Sequence, residues 1–492
     1  MKKNVGIVLS LLAVLSISIY FRSYPIFLPQ FVKLAGQKVD RQVQQRIARE
    51  ISKNFPALSD VAKSKLFDAA VKDYEKTNKK TLQEQKKEEF ARLKDRFQDK
   101  FGRTYLMELD GWNWARYVEN IDRLGRTGDE VKDGKQHDNL MVFPQGRDFN
   151  WSTFFYYTSW AAYKFFALFK PIVLFDFIFY LPLFFLSVFI ILLYFFCCRY
   201  WGSITAFICC IFVGTAPIFI PRSCVGWFDL DILTMIFPLL IIWFYIHAYN
   251  SSSWPRSVGW AVLASLWLSL FCATWLGWSL ILAIIFFYEF IVLANCFSER
   301  FQYGQDTSGE IKRHLLVFTT FLFFGVFWII LFSGFEPLDA LAAQIKSAVS
   351  LNNPLTSIIW PNVYSTVGEL KKGDYLSVAN AVGGVFMLAI VLLLMLWSFL
   401  KIKKYRGAKR ELLIIMVVWF MTVFFLCSKG IRFAIYLLIP MGVFLGWGIV
   451  ELYEFILEKG RKLFLVPLTL GLVWLAGSSI QKADNTAKGC LP

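Results

Sequence analysis

The stretch Ile172-Val-Leu-Phe-Asp-Phe-Ile-Phe-Tyr-Leu-Pro-Leu-Phe-Phe-Leu-Ser-Val-Phe-Ile-Ile-Leu-Leu-Tyr-Phe-Phe196 holds a single acid and shows no polar–apolar alternation. A helix rises about 1.5 Å per residue and a bilayer's hydrocarbon core is about 30 Å thick, so this segment crosses a membrane as a helix. Only helices and closed barrels span lipid, and a barrel strand needs the period-two pattern that is missing. The same signature returns at 4–21, 203–220, 232–249, 257–274, 277–296, 314–333, 378–400, 411–428, 432–454 and 463–480. The expected fold is an all-α membrane bundle of about eleven transmembrane helices.

Composition agrees. Of 492 residues, 57% are hydrophobic and 18% aromatic, and the mean hydropathy is +0.50. A net charge of +16 would suggest nucleic acid for a soluble chain. In a membrane protein it reads as loop charge that fixes orientation, so no nucleic-acid partner is expected. Nine cysteines form no C-x-x-C pair, and only three histidines occur. Zinc, redox and histidine-triad chemistry are therefore disfavoured.

Loop charge sets the topology. With Lys2 and Lys3 inside, an odd number of spans places Arg199, Arg256, Arg300, Lys312, Arg313, the basic run Lys401–Arg410, Lys459 and Arg461 inside. Counting the short aromatic segment 151–169 as a span would put all of them outside, so it reads as an interfacial helix. The expected organisation is then a first span over 1–22, left uncleaved because no small-x-small site follows it. An outer loop covers 23–171 and carries a charged helical hairpin over about 35–105. Spans two to seven fill 172–333, a long outer loop takes 334–377, spans eight to eleven fill 378–480, and 481–492 is an outer tail. The protein is expected to be an integral, multi-pass protein of a bacterial or archaeal cell membrane.

Four features share the outer face in this topology: Asp110 in Glu108-Leu-Asp-Gly-Trp-Asn-Trp, Asp229 and Asp231 in Gly226-Trp-Phe-Asp-Leu-Asp231, Glu369 in Thr366-Val-Gly-Glu369, and Arg432 in Lys429-Gly-Ile-Arg432-Phe. Each alone has a plain structural explanation. Asp110 caps a turn, the Asp-x-Asp pair opens a helix, Glu369 is a surface acid beside Lys371 and Lys372, and Arg432 snorkels to the interface. Together they offer oxygen ligands for a hard divalent cation and a guanidinium for phosphate.

Five motifs carry a resemblance. Asp110-Gly-Trp-Asn-Trp, Pro144-Gln-Gly146-Arg147, Arg222-Ser-Cys-Val-Gly-Trp-Phe-Asp229-Leu-Asp231, Thr366-Val-Gly-Glu369 and Lys429-Gly-Ile-Arg432-Phe433 occur in that order between about 100 and 480. The set resembles the catalytic subunits of oligosaccharyltransferases, the STT-three/PglB/AglB-like GT-C membrane glycosyltransferases. The resemblance implies inverting transfer of a glycan from a polyprenyl-pyrophosphate donor to a protein acceptor, at asparagine, on the extracytoplasmic side. It implies Mg²⁺ or Mn²⁺ held by Asp110, Asp229, Asp231 and Glu369. Asp110 and Glu369 would engage the acceptor amide, Arg432 and Arg222 the donor phosphates, and Arg147 would support them. The partners implied are a lipid-linked oligosaccharide, an acceptor polypeptide and the membrane.

Two features depart from the family pattern. The family has thirteen spans where eleven are counted, a hairpin being absent after 296. The Trp-Trp-Asp motif of the family's soluble C-terminal domain does not occur in these residues, so a sequon reader is lost, truncated or carried by a separate chain. The alternatives are a GT-C enzyme with a non-protein or hydroxyl acceptor, and a transporter or flippase. The acids at span ends and the lack of repeated halves weigh against the latter.

Overall fold

The computed structural model describes residues 2–304, 306–349, 373–460 and 462–491. Counting helices longer than a single turn, its main elements are α1 (Lys2–Arg22), α2 (Pro29–Asn54), α3 (Asp60–Thr77), α4 (Lys79–Lys94), α5 (Leu109–Leu124), α6 (Phe154–Ala167), α7 (Leu174–Trp201), α8 (Ser203–Thr215), α9 (Leu233–Asn250), α10 (Trp254–Cys272), α11 (Ser279–Tyr303), α12 (Ser308–Ser333), α13 (Glu336–Val349), α14 (Tyr375–Ala381), α15 (Val385–Lys401), α16 (Ala408–Cys427), α17 (Leu438–Glu458) and α18 (Leu465–Lys488). A small antiparallel sheet, β1 (Glu130–Lys132), β2 (Lys135–Asp138) and β3 (Arg147–Asp148), sits between α5 and α6.

Nine helices among the described residues are long and apolar enough to cross a membrane: α1, α7, α9, α10, α11, α12, α15, α16 and α17. The two remaining expected spans are also helical but of different character. The segment at 203–220 yields only the thirteen-residue α8, about 20 Å long and too short to cross alone. It survives because protein surrounds it, with α1, α7 and α17 packed on it. The segment at 463–480 yields α18, whose second half is polar and whose buried side chains are Ala483 and Ala487. Among the described residues no further helix lies between α11 and α12.

The centre of the bundle is α8 against α17, and their approach is set by glycine. A Cβ on Gly446 would lie 2.5 Å from the Thr205 carbonyl oxygen, and one on Gly442 would lie 2.8 Å from Cys209 Sγ. Two glycines four residues apart clear one helix face, which lets backbones approach where lipid gives no hydrophobic drive for association. The Thr205 hydroxyl donates to the Gly446 carbonyl across this seam at 3.4 Å.

The helices alternate in direction, and their end contacts agree. At one end the Arg22 guanidinium donates to the Gly214 carbonyl (2.7 Å) and to Ser223 Oγ (2.6 Å). At this end also the Phe154 N–H meets the Ala273 carbonyl (3.0 Å), and Trp275 packs on Tyr436. At the other end Ser257 bonds the Ala248 carbonyl (2.7 Å), Tyr200 meets His247 (3.1 Å) and Lys404 pairs with Glu451 (3.5 Å). The basic run 401–410 and Arg199, Arg256, Arg300, Lys312 and Arg313 belong to this second end.

The charged segment forms three helices where a hairpin was expected. Helix α2 breaks at Phe55-Pro56, and α3 and α4 both fold back on it. Its core is thin, holding Val39, Ile47, Ile51 and Leu82, and ion pairs Lys38–Glu89 (2.8 Å) and Lys86–Asp40 (2.7 Å) join α2 to α4. Exposed pairs of this kind contribute little, so the unit depends on helix propensity and a narrow apolar seam. Helix α6, fourteen residues long, lies against α5 and α7. Asp122 on α5 accepts from Trp160 Nε1 (2.9 Å) and pairs with Lys164 (2.5 Å). Both ends of α6 stay at the first end of the bundle.

Gly446→Val is expected to force α8 from α17 and to cost about 1–3 kcal/mol, because the obstructing atom is backbone. The check is the thermal unfolding midpoint in detergent; an unchanged midpoint would contradict the glycine seam.

Candidate active site

The loop between α8 and α9 carries Arg222, Asp229 and Asp231. It is irregular, and such backbone at a membrane edge must find hydrogen bonds inside the protein. It finds them in three neighbours. Val225 N–H donates to the Arg22 carbonyl (3.1 Å), Gly226 N–H to the Phe179 carbonyl (2.9 Å), and Met107 N–H to the Gly226 carbonyl (3.0 Å). The last bond lays the residues just before α5 along the loop. A Cβ on Gly111 would sit 3.4 Å from the Phe228 carbonyl oxygen, so the first turn of α5 rests on the loop. Asp110 occupies that first turn, where the helix dipole favours a carboxylate.

Asp229 has extended backbone (φ −143°, ψ 168°), and a short 3₁₀ turn, Leu230–Ile232, follows. Extended chain would put residues 229 and 231 on one face; the 3₁₀ turn that starts at Leu230 breaks that alignment, and the two acids of the motif take different partners. Asp229 accepts its neighbour's Leu230 N–H (2.6 Å) and lies within electrostatic reach of Asp110. Burial, and after it the neighbouring Asp231 charge, pushes the Asp229 carboxyl up to about 8. Asp231 is buried and its Oδ2 accepts from Arg222 Nη1 (3.0 Å) and Trp227 Nε1 (3.3 Å). Asp231 thus ties Arg222 to the loop with one oxygen.

Arg432 opens a 3₁₀ segment, Ile431–Leu437. One turn on, Tyr436 donates to Thr234 Oγ1 (3.0 Å), and Thr234 donates to the Asp231 carbonyl (2.7 Å). Tyr436 lies within electrostatic reach of Asp231, Arg432 and Arg222 together. The two arginines and the Asp-x-Asp loop therefore occupy one end of the bundle. Glu369 lies outside the described residues. Four residues after it, Gly373 N–H bonds the Cys427 carbonyl (3.2 Å), and a Cβ on Gly373 would lie 3.3 Å from Ile431. The chain that carries Glu369 therefore rejoins the bundle next to Arg432.

Arg147 lies on β3 and lines a cavity of about 160 Å³ with Trp114, Tyr156, Leu230 and Trp275. Gly146 before it has φ +74°, and a Cβ there would lie 2.1 Å from His137 Nε2 and 2.7 Å from the Asp138 carbonyl. Only glycine serves at that turn. The platform beneath it is built by residues that sequence reasoning missed. Arg116 on α5 forks between Asp129 (2.7 Å) and Asp138 (2.7 Å), and Tyr117 donates to Asp138. Burial alone would raise the Asp138 pKa; Arg116, Tyr117 and the N–H groups of Leu140 and Met141 outweigh it and hold the carboxyl at about 2. No sequence signal marked this network, since its members lie 13 and 22 residues apart in an irregular loop. Arg22 was missed as well. It reads as the charged end of a span, yet it is fully buried and grips Ser223 beside Arg222.

Residues 85–472 match the family model described as oligosaccharyl transferase STT3, N-terminal. The chain belongs to that family. Two curated relatives are dolichyl-phosphooligosaccharide-protein glycotransferases: that of Methanococcus voltae is 26% identical over 80% of this chain and 46% of its own length, and that of Methanocaldococcus jannaschii is 24% identical over 75% and 48%. This STT3-family chain spans about half the length of those relatives. Among solved structures, AglB of Archaeoglobus fulgidus in complex with an inhibitory peptide and a dolichol-phosphate superposes with a TM-score of 0.53 at 16% identity, covering 78% of this chain and 52% of that one. The same protein in its apo form gives 0.52 over the same coverage. These superpositions establish that the fold is shared.

Asp138 has a folded pKa below its ordinary 3.8, so the stability it confers is complete above about pH 4 and disappears as pH falls towards 2. The gap in unfolding midpoint between wild type and Asp138→Asn is expected to be present at pH 6 and to shrink between pH 4 and pH 2. Arg116→Ala strands two acids and is expected to cost about 3 kcal/mol or more, discounted for partial solvent access. The check is faster proteolysis between residues 108 and 151.

Proposed function

We propose that this end of the bundle transfers a glycan, with inversion at the sugar carbon, from a polyprenyl-pyrophosphate donor to the side-chain amide of asparagine in a polypeptide. The observation that carries the reading is the seating of Asp110 on the Asp229 loop through Met107–Gly226 and Gly111–Phe228. Acids more than a hundred residues apart come within electrostatic reach of each other there, with Arg222 and Arg432 at the same end. The relatives named above act on a dolichyl-phosphooligosaccharide and protein, which suits that arrangement.

The donor set suits Mg²⁺ or Mn²⁺. It is all carboxylate, and hard cations take oxygen ligands. Among the described residues no three such groups converge on one point, so Asp110 and Asp229 would hold the ion with Glu369. The Arg222 pairing supports a reading in which Asp231 fixes the loop in place of binding the ion. The bound ion would neutralise charge developing on the departing pyrophosphate. Arg432 would fork to phosphate oxygens, since its guanidinium matches their geometry. Asp110 and Glu369 would accept the acceptor amide's two N–H bonds and turn its nitrogen out of conjugation, freeing the lone pair for attack. Arg147 would form one wall of the adjoining cavity.

This end is assigned to the extracytoplasmic side, because the basic loops belong to the other end. A transporter would place ionisable groups near the middle of the membrane, whereas Asp110, Asp229 and Arg432 lie at helix ends.

Asp110→Ala, Asp229→Ala and Glu369→Ala, assayed singly for transfer from a lipid-linked oligosaccharide to an Asn-x-Ser/Thr peptide with Mn²⁺, are each expected to lower the rate at least about 10²-fold. A chelator should do the same to wild type. Full activity in all three variants would remove the metal reading, and transfer only to a sugar hydroxyl would replace the acceptor.

A further inference from the structure

A second, smaller apolar cluster lies beside the acidic loop: Phe21, Tyr24, Ile220, Cys224, Ala483, Ala487 and Cys490. It joins three distant parts of the chain, namely the end of α1, the loop before Asp229 and the end of α18. Two thiols meet in it. Cys224 is fully buried and Cys490 nearly so; both belong to this one cluster, and each lies within electrostatic reach of the other. Cys224 Sγ also touches the Pro221 carbonyl (3.0 Å) and Met107 Sδ (3.3 Å), while Cys490 Sγ reaches the Thr486 carbonyl (3.5 Å).

We propose that Cys224 and Cys490 are a disulfide-forming pair that staples the C-terminal helix to the loop carrying Asp229.

Three observations support this beyond mere proximity. First, the Arg22 guanidinium lies within electrostatic reach of both sulfurs, and a fixed cation beside a thiol favours the thiolate that performs disulfide exchange. Consistent with that, hydrogen bonding from Cys224, with Arg22 adding to it, lowers the Cys490 pKa below the ordinary thiol value. Second, the pair lies at the end assigned to the outside, where disulfides persist. That assignment is shared with the proposed function, but the bond itself does not depend on it. Third, the chain contains its own comparison. Cys197 and Cys209 are likewise within electrostatic reach of each other, but they sit inside α7 and α8, away from the helix ends, and are expected to stay reduced.

The chemistry is thiol–disulfide exchange with an external disulfide as oxidant. The Cys490 thiolate attacks one sulfur of that disulfide and expels a thiolate, leaving a mixed disulfide on Cys490. Cys224 loses its proton to the expelled thiolate, attacks the Cys490 sulfur and expels a second thiolate, which takes up the proton that Cys490 had released. One S–S bond forms, one breaks, and the two electrons leave with the two released thiols. The product fixes the loop two residues before Gly226, the residue that aligns Met107 and thus α5.

The test uses the purified full chain in detergent, equilibrated with oxidised glutathione, then denatured, alkylated and digested. A peptide linking residues 224 and 490 is expected, with two fewer alkylated thiols than the nine of the reduced chain. The unfolding midpoint should rise by several degrees and fall back with a reductant. Cys490→Ala should abolish both the link and the redox-dependent shift, and Cys224→Ala provides a second variant if either folds poorly. Nine alkylated thiols after the oxidant, or a Cys197–Cys209 link in place of this one, overturns the proposal. The readout involves no glycan transfer, so its failure leaves the proposed function standing, and the reverse also holds.

Discussion

Backbone that is not helical can lie at a membrane's edge only if the protein itself supplies its hydrogen-bond partners. Residues 216–231 meet this requirement in three directions at once, through Arg22, Phe179 and Met107. The last of these bonds determines the chemistry of the site. By accepting from Met107, Gly226 fixes the start of α5 and hence Asp110 over Asp229. A loop satisfied by water would leave the two acids to find each other by chance. Here a main-chain bond holds them in register before any ligand arrives, which is the preorganisation that transition-state stabilisation needs.

The same loop separates charges that look equivalent in the sequence. Asp229 and Asp231 are two residues apart, but extended backbone at Asp229 followed by a 3₁₀ turn sends them to different partners. One lies within electrostatic reach of Asp110. The other is consumed by Arg222 and Trp227. A single motif thus yields two acids in different settings, and only Asp231 is held by an arginine. The glycine seam between α8 and α17 lies beneath this, since α8 leads directly into the loop and its position is fixed by how closely α17 approaches.

How much of this is legible in the sequence depends on the range of the interaction. The crossing helices are written in local hydropathy, and they fall where runs such as 172–196 place them. That Asp110, the Asp229–Asp231 loop and Arg432 share one end of the bundle follows from counting the apolar runs between them. The short α8 is less legible, because its apolar run is continuous with the loop and only tertiary cover explains where it stops. The break of the charged segment into three helices was signalled by Pro56 but outweighed by strong helix formers on both sides. The Arg116 fork and the buried Arg22 are not legible, because their partners lie 13 to 201 residues away in the chain and no local pattern links them. Glu369 was placed by motif alone and lies outside the described residues.

Buried Arg22 has a consequence for how the protein is made. Its guanidinium partners, Gly214 and Ser223, follow it by 192 and 201 residues. At ordinary synthesis rates of about 5–20 residues per second, on the order of 10–40 s pass before they leave the ribosome. During that interval the first helix sits in the bilayer with its charge still among lipid headgroups. The guanidinium can reach these partners only when the third apolar segment and the loop after it have been made, so the first helix is inserted well before it is seated.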